Sequence, residues 1–452
     1  MMRLSQIASW CDGVLLGNDV TCQRINTDTR SLQPGDLFVA LRGDRFDGHD
    51  YVAAAMAGGA SAALVANDVP ERPVVKVADT RRALGLLAAG YAADFSLKRI
   101  AVTGNAGKTS VKEMIACMLS AEPDDPRVHA TRGNFNNEIG VPLTLLALNA
   151  GHQYGVFELG ASTPGEIAWT VSLVRPHVVL VTNVTGAHLE GFGSMQGIAN
   201  AKAEIFSAAA PGALAIVNDN DRFADFFAER AAQHGLAVVH TGEHDGVAWQ
   251  AHDVQCGASS SHFQLKCPAG DFTVTLPIPG RHQVSNALQA LAAVHAVGVP
   301  VEQAIARLAG LRSVKGRMQI HPCAGGTLVD DSYNANPGSV RAAIDWLAGR
   351  PAPRVLVLGN LGELGAEAGN IHAELGEYAR AAGIDAVLAL GDLAALAATG
   401  FGDGARRVDS YVAAAQQARL FLEQAGTVLV KGSRSAGMDA VVTALMTEEE
   451  RR

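Results

Sequence analysis

The sequence predicts an α/β protein with mostly parallel, doubly wound sheets, divided into about three domains. Three observations carry this. Short β-branched apolar runs alternate with helical stretches from residue 98 to 218, and again from 328 to 431. A glycine-containing turn, Thr103-Gly104-Asn105-Ala106-Gly107-Lys108-Thr109-Ser110, joins one such run to a helical stretch at 111–119. The 452 residues, 48% hydrophobic and 18% charged, can bury several cores without disulfides.

The turn has the chemistry of a phosphate-binding loop. Glycines let the backbone wrap closely around phosphate oxygens, and the N–H groups at the helix start add the positive end of a dipole. Lys108 can reach the terminal phosphates, and the Thr109 hydroxyl can hold Mg²⁺. The pattern departs from G-x-x-x-x-G-K-[ST] in one respect: Val102 stands where the first glycine would, and Thr103-Gly104 takes its place. The loop indicates a nucleoside triphosphate and leaves open what its energy drives.

Composition narrows the class. The net charge of −9 argues against a sequence-independent nucleic-acid binder. Six cysteines are scattered, with no C-x-x-C and no zinc-like spacing, which fits a reducing compartment. Residues 1–12 lack the apolar core of a signal peptide. The uncharged stretch 139–157 is interrupted by Pro142, Asn149, Gly151 and His152, so no membrane span is expected. The expectation is a cytoplasmic protein, acting as a monomer.

Along the chain, 1–82 reads as a small α/β module. Pro34-Gly35-Asp36 before Leu37-Phe38-Val39-Ala40-Leu41 is a turn followed by a strand, 52–60 is helical, and 62–66 is a strand. Thr29 and Arg30 there form either an anion site or an ordinary surface loop. Residues 83–313 carry the phosphate loop. Their Asn- and Gly-rich segment 131–144, with Asn136 and Asn137, offers amides to a polar ligand or is a plain turn cluster. Glu158 ends a strand at 154–157, where a carboxylate suits Mg²⁺ or general-base work, unless it is a surface glutamate. The run 178–184 is of buried parallel-strand type, and His188 follows just beyond its end, where open α/β sheets bind ligands. Lys202, on a helical stretch at 199–206, reads by itself as a solvated lysine. Asn286 falls in the first turn of a helix at 283–296, able to read a base or ribose. Residues 314–452 form a further α/β unit, with strands at 328–331, 354–359, 386–390 and 427–431, helices at 339–347, 373–382 and 413–424, and Gly432-Ser433-Arg434-Ser435 at its last strand end.

These motifs together resemble the Mur ligases over essentially the whole chain. The resemblance rests on Thr-Asp-Thr-Arg with Pro-Gly-Asp-Leu-Phe-Val-Ala-Leu (27–41), the phosphate loop, Asn-Asn-Glu-Ile-Gly-Val-Pro-Leu-Thr (136–144) and Glu-Leu-Gly-Ala (158–161). Ala-His-Leu-Glu-Gly-Phe-Gly-Ser (187–194), Asp-Asp-Ser-Tyr-Asn-Ala-Asn-Pro (330–337) and Lys-Gly-Ser-Arg-Ser (431–435) complete it. Asn105 departs from the small serine usual in the family. The long N-terminal motif, Asn-Asn-Glu-Ile-Gly-Val-Pro and Lys-Gly-Ser-Arg-Ser point to the branch that adds D-alanyl-D-alanine to UDP-N-acetylmuramoyl-tripeptide.

The resemblance implies an N-terminal module for the UDP part of the substrate (1–82), a central ATPase domain (83–313) and a C-terminal Rossmann-like domain (314–452). It implies that the loop residues 103–110 bind ATP, that Thr109, Glu158 and His188 hold Mg²⁺, and that Lys202 becomes carbamylated. Asn286, Arg317, Asp331 and Asn334 would complete the ATP site. Thr29, Arg30, Asn136, Asn137 and Lys431 would face the other substrates. The implied chemistry is amide formation through an acyl phosphate. A folylpolyglutamate-type ligase or another Mur step on the same scaffold, or a nucleotide-switched binding protein, would share the loop; the 27–49 block argues for a nucleotide-sugar substrate.

Overall fold

In the central sheet the loop strand, Lys98–Thr103, is flanked on both sides by parallel partners, Val178–Val181 and Tyr154–Glu158. The computed structural model describes residues 1–450 apart from Asp44, Ala187 and His188. From one edge the nine strands run Val128–Ala130, Tyr154–Glu158, Lys98–Thr103, Val178–Val181, Leu214–Asn218, Ala237–Gly242, Trp249–Cys256, Ser261–Cys267 and Gly270–Leu276. The last three pair antiparallel with one another and the rest are parallel.

The all-apolar runs predicted as buried strands are buried on both faces, as a parallel sheet requires. Ile100 and Val102 point to the side covered by the phosphate-loop helix, Lys108–Leu119, and by the long helix Arg281–Ala296. Ala101 points to the other side, with Phe157, Ile167 and Val179. From Lys98–Thr103 the chain moves outward to the Val128 edge, returns through Tyr154–Glu158, and crosses over to Val178–Val181. Connections leaving neighbouring strands in opposite directions open a crevice at their carboxyl ends. The phosphate loop lies in that crevice.

The C-terminal sheet has the order Gln319–Cys323, Gly326–Asp331, Thr427–Lys431, Arg354–Gly359, Ala386–Leu390, Ala405–Val408, parallel except for the first strand. Asp331 and Lys431 therefore end neighbouring strands, in register. A five-stranded sheet, from Val14–Leu16 through Val74–Lys76, Ala62–Val65 and Asp36–Val39 to Arg24–Asn26, builds the N-terminal module.

Two expectations change. The boundary at 82 falls inside a continuous helix, Thr80–Ala92, whose Leu84 and Leu87 serve the N-terminal core and whose Ala88 and Ala92 serve the central one. The helix expected from 283 begins at Arg281, so Asn286 lies in its second turn. The antiparallel strands between 249 and 276 were not anticipated, although Ser261–Cys267 alternates buried and exposed residues with strand periodicity.

Arg99 fastens the central sheet to two helix ends. Its guanidinium donates to Val174 O at 2.9 Å and Ala92 O at 2.5 Å, in a site that is nearly dry. Burial lowers the pKa of this cation, Arg175 adding to the effect. Arg99→Ala leaves those carbonyls without their charged donor, and a loss of about 2–4 kcal/mol is expected, read as a lower thermal midpoint.

Candidate active site

A cleft of about 490 Å³ opens where the central and C-terminal domains meet. Its floor is the phosphate loop. Gly104 (φ +139°) and Gly107 (φ +81°) adopt backbone conformations that favour glycine. A Cβ at Gly104 would lie 1.9 Å from Thr182 Oγ1, and one at Gly107 2.7 Å from Asn286 Oδ1. The loop is held from the neighbouring strand end: Asn183 Oδ1 accepts from Ala106 N at 3.0 Å, and Asn183 Nδ2 and Thr182 Oγ1 donate to Ala106 O. Thr185 N donates to Asn105 Oδ1 at 3.3 Å, so the residue that departs from the family pattern serves as an acceptor for the next strand-end loop.

Lys108 folds back over this loop, donating to Gly104 O at 2.8 Å and to Asn105 O at 3.4 Å. Burial lowers its pKa; Glu158 raises it and Arg317 lowers it further. Thr109 Oγ1 donates to Glu158 Oε2 at 2.8 Å and accepts from Arg317 Nη2 at 3.0 Å. Glu158 is 2% exposed, not a surface glutamate. Its other oxygen accepts from Asn136 Nδ2 at 2.8 Å, and its backbone N–H donates to Thr131 Oγ1 at 3.0 Å. One carboxylate is thus held between the loop helix and the Asn-rich segment, with both oxygens oriented. Glu158 and Thr109 are hard oxygen donors of the kind Mg²⁺ prefers.

From the C-terminal domain come Arg317, stacked 4.6 Å over the Tyr333 ring, and Asp331, paired with Lys431 at 2.5 Å. Lys431 Nζ also donates to Asn334 O at 3.2 Å. Asn334 Oδ1 accepts from Arg434 N at 3.2 Å, and the Arg434 guanidinium lies 5.2 Å from the Tyr333 ring centroid. Asn286, from the central domain, donates to Gln283 Oε1 at 3.0 Å while facing Gly107.

The structure therefore gathers Asn105, Ala106, Gly107, Lys108, Thr109, Ser110, Asn136, Asn137, Glu158, Asn286, Arg317, Asp331, Asn334 and Lys431 along one cleft. Thr103 and Lys202 stand differently from the sequence reading. Thr103 is fully buried and donates to Leu159 O at 2.7 Å, so its side chain fastens two strands and does not face the cleft. Thr29 and Arg30 lie on a short 3-10 turn outside the cleft lining. Arg30 is paired with Asp28 at 2.7 Å, and its hydrogen bonds push the Asp28 carboxyl down to about 2. His188 lies outside the described residues. Lys202 is not solvated: it is 1% exposed, its ammonium 5.4 Å from the Phe192 ring centroid. Burial pushes its pKa down to about 7; Lys108 lowers it as well, opposed by Glu204 and Glu166.

Several groups that shape the site were not singled out from the sequence. Thr182 and Asn183 fasten the loop, Thr131 orients Glu158, and Tyr333 carries the Arg317 and Arg434 guanidinium groups. The strand-end position of Asn183 was the available signal. Nothing local in the sequence marks Thr131.

Three family models match the chain: Mur ligase family, catalytic domain, at 21–92; Mur ligase middle domain at 102–294; and Mur ligase, glutamate ligase domain, at 316–434. The chain is 44% identical over 448 residues to the UDP-N-acetylmuramoyl-tripeptide--D-alanyl-D-alanine ligase of Escherichia coli (strain K12), covering 98% of each chain. Among solved structures it is similar to MurF from Acinetobacter baumannii, with a TM-score of 0.92, 35% identity and 99% of each chain covered. It is also similar to MurF ligase from Thermotoga maritima in complex with ADP, with a TM-score of 0.85, 28% identity, and 95% of this chain and 98% of that one covered.

Proposed function

This chain belongs to the Mur ligase family, and on that premise we propose that it joins D-alanyl-D-alanine to UDP-N-acetylmuramoyl-tripeptide at the expense of ATP. Its full-length similarity to ligases of that name supports this step over a folylpolyglutamate-type reaction. The tripeptide carboxylate oxygen attacks the γ-phosphorus, and the bond from that phosphorus to the bridging oxygen of ADP breaks. The amine of the dipeptide then attacks the acyl phosphate carbonyl, the carbon–oxygen bond to phosphate breaks, and the nitrogen loses its extra proton. A carboxylate is a poor electrophile; phosphorylation supplies its leaving group.

The observation that supports this most is the 3.0 Å contact of Arg317 with Thr109, made across the domain boundary. A switch that only hydrolyses ATP needs no second domain at its phosphates. A ligase gains by completing its site only when both domains close. Lys108, Arg317 and the loop amides would neutralise charge on the transferring phosphoryl group. Thr109 and Glu158, with His188, would hold Mg²⁺, which when bound withdraws charge from the phosphate oxygens. Asn286 would contact the adenine and Asp331 the ribose.

On the substrate side, Thr29 and Arg30 would take the uridine end, Arg30 exchanging its Asp28 partner for the ligand, with Asn136, Asn137 and Lys431 nearer the peptide. A cytoplasmic location fits the free thiols of Cys11, Cys22, Cys117, Cys256 and Cys267. Among the described residues no helix is long and apolar enough to cross a membrane.

The test is ADP release with each reactant left out in turn. The ligase reading expects turnover only with ATP, UDP-N-acetylmuramoyl-tripeptide and D-alanyl-D-alanine together. Equal ADP release without the dipeptide would sink it in favour of a hydrolytic switch.

A further inference from the structure

The Arg81 guanidinium joins the N-terminal module to the segment that orients Glu158. Arg81 sits in the first turn of the helix Thr80–Ala92, where Asp79 Oδ1 accepts its backbone N–H at 2.8 Å. Its Nη2 donates to Arg42 O at 3.0 Å, and its Nη1 pairs with Glu138 Oε1 at 2.6 Å. Arg42 in turn pairs with Asp47 at 2.7 Å, which closes the loop from 42 to 47. On the other side, Glu138 directly follows Asn136 and Asn137. Asn137 Oδ1 accepts from Gly140 N at 2.8 Å and so starts the helix Gly140–Leu146. Asn136 is fastened to the segment 158–160 at two points: its carbonyl accepts from Gly160 N at 2.8 Å, and its Nδ2 donates to Glu158 Oε1 at 2.8 Å.

We infer that Arg81 is a positioning residue: through Glu138 and Asn136 it relays the placement of the N-terminal substrate module to the Glu158 carboxylate. The inference rests on the reading above, in which the N-terminal module carries the nucleotide sugar and Glu158 serves the phosphate site. The side chains of Arg81 and Glu138 are 41% and 36% exposed, so the pair contributes little to stability. Its geometry is nevertheless specific. Arginine is planar and forked, so it holds Arg42 O and Glu138 at once, and a movement of the 42–47 loop is felt at 138. Three hydrogen bonds and the chain segment 136–138 then link Arg81 to the Thr109 hydroxyl: Arg81 to Glu138, Asn136 to Glu158, and Thr109 to Glu158. A displacement of about 1 Å in such a constellation costs roughly 10²-fold in rate at the upper end.

The experiment is a double-variant cycle in the full-length enzyme, with Arg81→Gln, Glu138→Gln and both together. Wild type is first shown to release ADP only with both organic substrates, which keeps failure of the ligase reading separate from failure of the relay. Expected for each single variant are an unchanged thermal midpoint, a 5- to 20-fold lower kcat, and a several-fold rise in the Mg²⁺ concentration giving half-maximal rate (about 1 Å of misplacement or less). The double variant should lose no more than either single one, since both break the same link. Unchanged kcat and Mg²⁺ dependence in Arg81→Gln would overturn the relay. So would a loss confined to KM for UDP-N-acetylmuramoyl-tripeptide, or losses that multiply in the double variant.

Discussion

Lys108→Ala should lower the rate of ADP release by about 10²–10³-fold, the usual effect of removing one preorganised charge from developing negative charge. The thermal midpoint should stay near that of wild type. Lys108 is only partly buried, and its ammonium donates to two carbonyls of its own loop. The Lys108 side chain lines an open cleft that water can enter, so removing it opens no core cavity. The glycine geometry and the Asn183 and Thr182 bonds that shape the loop remain in place. ATP should bind more weakly as well, since the same ammonium meets the terminal phosphates before and during transfer. If Lys108 served only to latch its own loop, the variant would instead melt at a lower temperature and turn over at nearly the normal rate. Parallel melting curves and initial rates separate the two.

The phosphate loop was legible because its chemistry is local. A β-branched run, two glycines and Gly-Lys-Thr at a helix start are contiguous in sequence, and the backbone conformations at Gly104 and Gly107 are what those residues are suited to. Glu158 was legible for the same reason: the strand that carries it is contiguous, and its end is where an α/β sheet places ligands. The all-apolar run at Val178–Val181 also announced its double burial. What escaped was set by tertiary neighbours. Lys202 stands among alanines on a short helix, which locally describes a solvated lysine; only packing against Phe192 and the central core makes it dry. The Tyr333 platform joins Arg317 and Arg434, 117 positions apart in the chain, so no local pattern records it. The helix across residue 82 shows that the module boundary is a shared element; a break in composition could not reveal a helix that packs on both cores.

Lys202 gives the second large effect, and the sign of its pH dependence is fixed by its burial. An ammonium in a site 1% exposed is disfavoured, and its pKa falls to about 7, with Lys108 adding to the fall. Above that pH the side chain is mostly a neutral amine, able to attack CO₂. A nitrogen–carbon bond forms, one carbon–oxygen π pair moves to oxygen, and the nitrogen gives up a proton, leaving an anionic carbamate. Such a carbamate would supply hard oxygens for Mg²⁺ and lift the repulsion between Lys202 and Lys108. Below about pH 7 the ammonium would be retained and no carbamate would form, so on the carbamate reading activity of CO₂-stripped enzyme should recover with bicarbonate at pH 8 and hardly at pH 6. Lys202→Met, close in volume, should reduce turnover by about 10²-fold or more, as loss of a charged group at a phosphoryl-transfer site does. It should do so without lowering stability at neutral pH. The unfolded chain binds the lysine proton up to about 10.5 and the folded one only to about 7, so the lysine's cost to folding is full below pH 7 and fades as pH rises toward 10.5. Methionine avoids that cost. Labelled ¹³CO₂ should give a carbamate carbon signal in wild type that Lys202→Met lacks. A fully active Lys202→Met, or wild-type activity indifferent to CO₂ at pH 8 with no such signal, would leave Lys202 as a structural lysine.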